Sequence, residues 1–297
     1  LALAVLGLLF VFLIISRAAH FTQNLFGFKT DSWNGQYNIN ILLRLPAISL
    51  LSYNPKDHKI VIVNIPDETF LQVPNGLGSW QIRSVYGLGG DKLLKETLTN
   101  FFAIPIDGFI DLSVLKSPKT AVELVETLRK NPISGFDLLS FVKTDLTMWE
   151  LLQLKQGLSS VRFDKIKNLD LLKLNILDKE NLADGTPVFT ADPIKLDSVL
   201  ADLQDPEIVS EHKSIAVFNA TDHPQLAQKW ARLITNLGGN VIITSNAKSR
   251  LQKTQVLGDQ SSTLKRLQQI FASGDKINPM DEDIAFSRAQ INLFLGE

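Results

Sequence analysis

At 297 residues the chain is long enough for one large domain and a smaller one, each with its own core. Hydrophobic residues make up 45% and charged residues 21%, with 30 basic side chains against 31 acidic ones, which excludes a disordered chain and gives no bulk pull toward nucleic acid or anionic lipid. The absence of cysteine excludes disulfides, thiolate zinc sites and a cysteine nucleophile together.

Residues 1–15 run without a charged or strongly polar side chain, and Ser16-Arg17 closes the run. The stretch falls short of the ~20 residues that cross ~30 Å of hydrocarbon. Because the first residue is Leu1 rather than a methionine, the expectation is an apolar run that continues upstream. Three readings stay open: a retained single-pass signal anchor over 1–19, a signal peptide cleaved near Ala18-Ala19, and a buried core helix. The apolar length favours the anchor. Orientation is not fixed, since the positive-inside rule needs the upstream flank. Residues 20–36, polar and dotted with aromatics, read as a juxtamembrane spacer.

The globular part begins with strand-length apolar runs at 37–43 and 47–53, and Asn54-Pro55-Lys56-Asp57 supplies the turn of a hairpin into a β-branched strand at 59–65, closed by Pro66. The near-continuous hydrophobicity of that strand predicts burial on both faces, at the centre of a sheet covered by helices. Residues 87–90 then predict a tight glycine turn, with Asp91 capping a helix over 92–102 whose Leu93, Leu94, Leu98 and Phe101 share one face. A strand over 104–112 follows, then helices at 118–128, 135–141 and 147–158. The last of these is read as continuing to Leu177.

These elements carry a resemblance. Asn40-Ile41-Leu42-Leu43, Ser52-Tyr53-Asn54-Pro55, Lys59 through Asn64-Ile65-Pro66, Tyr86 with Gly89-Gly90, and Ile104-Pro105-Ile106-Asp107 stand in the order of the landmarks of the LytR-CpsA-Psr domain. In that family these landmarks are an Asn-Ile-Leu-Leu strand, a Ser-x-Asn-Pro turn, Ser-Ile-Pro-Arg-Asp-Thr, Lys-x-Asn-x-x-Tyr-x-x-Gly-Gly, and Gly-Ile-Pro-Ile-Asp. The resemblance implies an α/β fold with a central sheet wrapped by helices. It also implies transfer of a glycopolymer from an isoprenoid pyrophosphate carrier to peptidoglycan, in which arginines grip the pyrophosphate, carboxylates hold a divalent cation such as magnesium or take a proton, and an apolar tunnel holds the lipid.

Several of those family positions have changed here. The family's Arg-Asp falls on Asp67-Glu68, and at ~4 Å with an effective dielectric of ~20 the exchange of attraction for repulsion costs several kcal/mol. The family's Gly-x-Asp-x-Arg segment is missing, leaving Arg44-Leu45-Pro46-Ala47, and Gln81 and Arg83 stand where Lys and Asn are usual. Arg44 and Arg83 are the candidate polyanion-binding residues and Glu68 the candidate surviving catalytic carboxylate. The plain alternative makes all three ordinary surface charges.

A polar run at 178–186, a short strand starting at Pro187-Val188-Phe189 and a helix at 194–203 lead to Asp205-Pro206, which has the composition of a linker. Beyond it come a strand at 214–219, a helix from Pro224-Gln225 to Leu237 closed by Gly238-Gly239, a strand at 241–243, a helix at 262–271 and a final strand at 289–295. Ala216-Val217-Phe218-Asn219-Ala220-Thr221, Leu226-Ala227, Gly239 and residues 293–296 closely resemble the LytR C-terminal domain. Asn219-Ala220-Thr221 also fits a glycosylation acceptor, although ending the strand and capping the loop is the simpler role. His58, His212 and His223 are isolated, so no metal-ligand spacing emerges, and no phosphate-cradling glycine loop is present.

The expectation is an α/β protein with an N-terminal transmembrane helix, a degenerate LytR-CpsA-Psr-like α/β/α domain over 37–204, a linker at 205–213 and a smaller α/β domain over 214–297. It would sit in a bacterial cell membrane with its domains on the extracytoplasmic side. There it would bind or scaffold isoprenoid pyrophosphate glycan, peptidoglycan or other envelope proteins, without metal, cofactor or nucleic acid. The rival expectation is an active transferase that uses Arg44, Arg83 and Glu68.

Overall fold

The computed structural model describes residues 32–130, 143–271 and 287–297. The expected anchor at 1–19, most of the spacer and the helix at 135–141 lie outside these residues. No described helix is long and apolar enough to cross a membrane.

Three strands open the chain: β1 (Ile39–Arg44), β2 (Ile48–Asn54) and β3 (Lys59–Ile65). They form an antiparallel meander whose β2–β3 hairpin turns where expected, with Asn54 Oδ1 accepting from the Lys56 and Asp57 amides. A hairpin the sequence reading passed over follows, β4 (Phe70–Val73) and β5 (Gly78–Gln81), and its turn holds Asn75 and Gly76 at positive φ. Helix α1 then runs Ile82–Phe102. It corrects the expected start at 92: the glycines are a kink inside the helix, where Gly90 takes φ +67, and Asp91 pairs with Lys143 instead of serving as a cap.

Strand β6 (Gly108–Asp111) is shorter than expected, since Pro105 has no amide to give a ladder. After α2 (Ala121–Lys130) and the two-residue β7 (Lys143–Thr144) comes α3 (Met148–Ser160). Thr147 and Glu150 close its start as a reciprocal capping box. The helical reading to Leu177 is overturned. Residues 166–170 form β8 (Ile166–Asp170), which pairs in parallel with β3. The apolar residues Ile166, Leu169 and Leu172 mimic a helical period, but the pairing offered by β3 outweighs it. Strands β9 (Leu177–Asn181) and β10 (Pro187–Ala191) form a hairpin across the polar run.

The large sheet has the order β7-β6-β1-β2-β3-β8. Leu42, Leu50, Val61 and Val63 pack on one face with α1, and Ile41, Leu43, Leu51, Ile60 and Ile62 pack on the other with α2 and α3. This is the three-layer arrangement expected from strands apolar on both faces.

Helix α4 (Pro193–Leu200) and a short 3₁₀ turn bring the chain to Asp205. The presumed linker instead starts helix α5 (Pro206–Glu211), with Asp205 as its fully buried N-cap. A second sheet follows, ordered β12-β11-β14-β13 from β11 (Ser214–Asn219), β12 (Asn240–Asn246), β13 (Gln255–Gly258) and β14 (Ile291–Leu295), with α6 (Leu226–Asn236) and α7 (Ser262–Ile270) on one face. Phe218 and Phe294 stack at 4.9 Å on its other face. Asn219 is buried, accepts from Thr221 and donates to the His223 carbonyl, which is the loop-capping role expected of it.

The two sheets are joined through polar contacts. Arg266 of α7 pairs with Asp107 at 2.9 Å and donates to the Asn38 carbonyl, while Asn38 reaches Asp205 and the Leu203 and Gln204 carbonyls. On the far side Arg232 of α6 grips Asp197 with two hydrogen bonds, and Asn236 donates to the Phe102 carbonyl at 3.1 Å.

Candidate functional site

Strands β1, β6, β3 and β8 run in the same direction, so their C-terminal ends meet at one edge of the large sheet, the usual place for a ligand crevice in an α/β fold. The register sets Arg44 beside Asp111 there. The Arg44 guanidinium donates to Asp111 Oδ2 at 2.5 Å and to Ser113 Oγ at 3.1 Å, and it lies over the Tyr86 ring, 3.5 Å from its centroid. Burial pushes the Asp111 carboxyl up, but hydrogen bonds from Ser113 and the Arg44 charge outweigh it and hold the group below the ordinary carboxylate range. One edge and one face of Arg44 are thus already occupied by the protein.

Tyr86 comes from the first half of α1, ahead of the kink. Just past the kink, the buried Asp91 pairs with Lys143, whose ammonium lies 5.7 Å from the Tyr86 ring and 5.9 Å from that of Phe109. The hydrogen bond to Asp91 holds Lys143 above the ordinary lysine range. Beside them Lys95 pairs with Asp145 at 2.6 Å, and Asp145 also accepts from the Phe109 amide. Together these side chains alternate cation, aromatic ring and carboxylate, with their charges largely paired.

Arg83 is exposed, one helical turn before Tyr86, and its amide donates to the Asp67 carbonyl at 3.4 Å. Glu68 is half-buried in the same segment after β3, where its carbonyl accepts from Phe189. With β2 between them, the ends of β1 and β3 stand about 10 Å apart at ordinary strand spacing. Arg44, Arg83 and Glu68 thus share one end of the sheet, but only Arg44 joins the paired cluster; among the described residues neither Arg83 nor Glu68 makes a side-chain ion pair. Sequence reading missed Asp111 and Lys143 and took Asp91 for a helix cap. The strand pattern offered a signal for Asp111, while Lys143 is brought in only by the tertiary fold.

The divalent cation that the family resemblance implies finds no ready donor set. Among the described residues no three of His, Cys, Asp and Glu come together, and Asp91 and Asp111 are each taken by a cationic side chain, so the oxygens a hard cation needs are already engaged.

A cluster of paired charges at the strand ends of one α/β sheet, joined to a second, smaller α/β unit, defines a two-part sheet protein. Residues 43–129 match the LytR_cpsA_psr family model, and residues 213–297 match that of the LytR cell envelope-related transcriptional attenuator. The chain is thus similar to the LytR-CpsA-Psr family over part of its first sheet unit and to the LytR C-terminal domain over its second. A polyisoprenyl-teichoic acid–peptidoglycan teichoic acid transferase TagU of Bacillus licheniformis is 27% identical over 107 residues, 35% of either chain. The TagU of Bacillus subtilis is 26% identical over 107 residues with the same coverage. The matched segment thus spans about a third of the length of these relatives, at 35%. Among solved structures, Bacillus subtilis TagV aligns over 57% of this chain and 96% of its own at 18% identity and a TM-score of 0.46. A structure of TagT with bound octaprenyl pyrophosphate lipid aligns over 59% and 93% at 16% identity and a TM-score of 0.43.

Proposed function

We propose that this protein is a cell-envelope protein of the LytR-CpsA-Psr kind, held in the membrane by its N-terminal apolar segment with both sheets outside, that binds or scaffolds envelope glycopolymer or peptidoglycan without catalysing its transfer. The observation that carries the reading is the state of Arg44. Its guanidinium is committed to Asp111, Ser113 and Tyr86, and the family's second arginine position holds Asp67. A transferase must offset the charge that develops on a pyrophosphate leaving group, and a cation already neutralised by a neighbouring carboxylate supplies little of that stabilisation. The activity in the names of the TagU relatives reaches this chain only as the alternative: an active transferase working with Arg44, Arg83 and Glu68. The shared sheet end of those residues, with Lys143 beside Tyr86, favours that alternative.

The deciding experiment incubates the purified full chain with a polyprenyl pyrophosphate-linked glycan and peptidoglycan acceptor, with and without magnesium or manganese, and separately measures retention on purified cell wall. Wall retention without product supports the scaffold. Turnover abolished by Arg44→Ala or Arg83→Ala establishes the transferase.

A further inference from the structure

Between the second half of α1 and helix α6 runs a groove of about 600 Å³, which shares Lys95, Phe109 and Asp145 with the sheet-end cluster and continues into a smaller hollow of about 210 Å³ that shares Thr99, Asn100, Lys229 and Trp230 with it. Its walls belong to different sheets and are fixed against each other by the Arg232–Asp197 pair and the Asn236 hydrogen bond to Phe102, so the shape exists before any ligand arrives. We propose that this groove is a binding site for an acidic saccharide chain.

Three observations carry the assignment. Trp230 is held on one side by the Phe271 ring, 5.0 Å away edge-to-face, and by the apolar contact of Ala103, Leu233 and Leu237, which leaves the indole as a rigid wall. A fixed ring suits the apolar face of a sugar, with an N–H at its rim. The polar groups around it are unspent: among the described residues the side chains of Asn75, Thr99 and Asn100 and the indole N–H make no hydrogen bond to protein, whereas the interface groups beside them are fully engaged. Amides and hydroxyls of this kind match the mixed donors and acceptors of sugar hydroxyls. Finally, Lys92 and Lys229 have no carboxylate within ion-pair distance among the described residues, and Lys229 stands 5.5 Å from the Trp230 ring. With Lys95 they set three lysines against Glu96 and Asp145, which favours an anionic over a neutral chain.

The test is calorimetric titration of the full chain with hexagalacturonate, neutral maltohexaose and inorganic polyphosphate, at low and high salt. Hexagalacturonate binds, weakens with salt, and loses about tenfold in affinity in the Lys92→Gln/Lys229→Gln double variant, as two exposed charge contacts allow. Both lysines are exposed, so the thermal midpoint of that variant stays unchanged. Trp230→Phe weakens binding as well, and if it unfolds the protein the lysine variant decides alone. Failure of hexagalacturonate to bind, unchanged affinity in the lysine variant, or polyphosphate binding as tightly as the acidic saccharide overturns the assignment.

Discussion

Replacing Arg266 by methionine tests whether the two sheets are held by a buried charge pair. The arginine side chain is 6% exposed and its partner Asp107 17%, with 2.9 Å between them, and the swap keeps the aliphatic stem packed while removing the charge. Breaking a buried pair from one side costs about 3–5 kcal/mol when the remaining charge is stranded. Asp107 is not wholly stranded, because it still accepts from the Asn40 amide at 2.8 Å. The bond to the Asn38 carbonyl is also lost, at about 1 kcal/mol, but Arg266 Nε is buried without a partner, and its removal returns a similar amount. The net cost is therefore about 3 kcal/mol, near the lower end of the range. At a slope of roughly 3 kcal/mol per molar urea this shifts the unfolding midpoint by about 1 M. Asp107→Asn and the double variant complete a cycle in which the pair couples by at least about 1 kcal/mol. A cost under about 0.5 kcal/mol, or additive single effects, refutes the claim that this pair joins the sheets.

Further outcomes follow from other parts of the molecule. The depressed Asp111 contributes stability that is present above its unfolded pKa and lost as pH falls through its lower folded value, so Arg44→Gln, which removes one of the depressing interactions, shrinks the acid-induced loss of stability below about pH 4 in urea melts at stepped pH. Gly157→Ala sets a Cβ 2.5 Å from the Tyr53 ring, so the variant loses about 1–3 kcal/mol despite its better helix propensity, read from its thermal midpoint. Thr147→Ala opens the capping box of α3 and costs about 1 kcal/mol in the same assay. The full protein stays in the membrane fraction after carbonate washing, and recovery of a soluble form starting after Ala19 argues for a cleaved signal instead.

Where local pattern and tertiary demand agreed, the fold was legible. The run 59–65 is apolar at nearly every position because both faces are covered, and it forms β3 with the bounds read from the sequence. The strand 214–219 matches for the same reason. Reading failed where a short segment relies on a neighbour: β8 exists because β3 offers it an edge, and Asp205-Pro206 has a linker's composition yet is an N-cap buried between the sheets. At the candidate site, Arg44 could be placed from sequence but its neutralisation could not. That depends on the parallel register of β1 with β6, which sets Asp111 beside it from 67 residues away.

The kink in α1 has a consequence for how the molecule can change. The segment before Gly89-Gly90 carries Tyr86, the ring under Arg44, and the segment after it carries Thr99 and Asn100, the wall of the groove against the second sheet. One bend, set by a residue at φ +67, thus orients Tyr86 at the sheet end and the wall of the groove against the second sheet. An insertion or a change of helical phase there turns both halves relative to each other, and since Asp91 and Lys95 of the second half pair with Lys143 and Asp145, it disturbs the sheet-end cluster and the groove together.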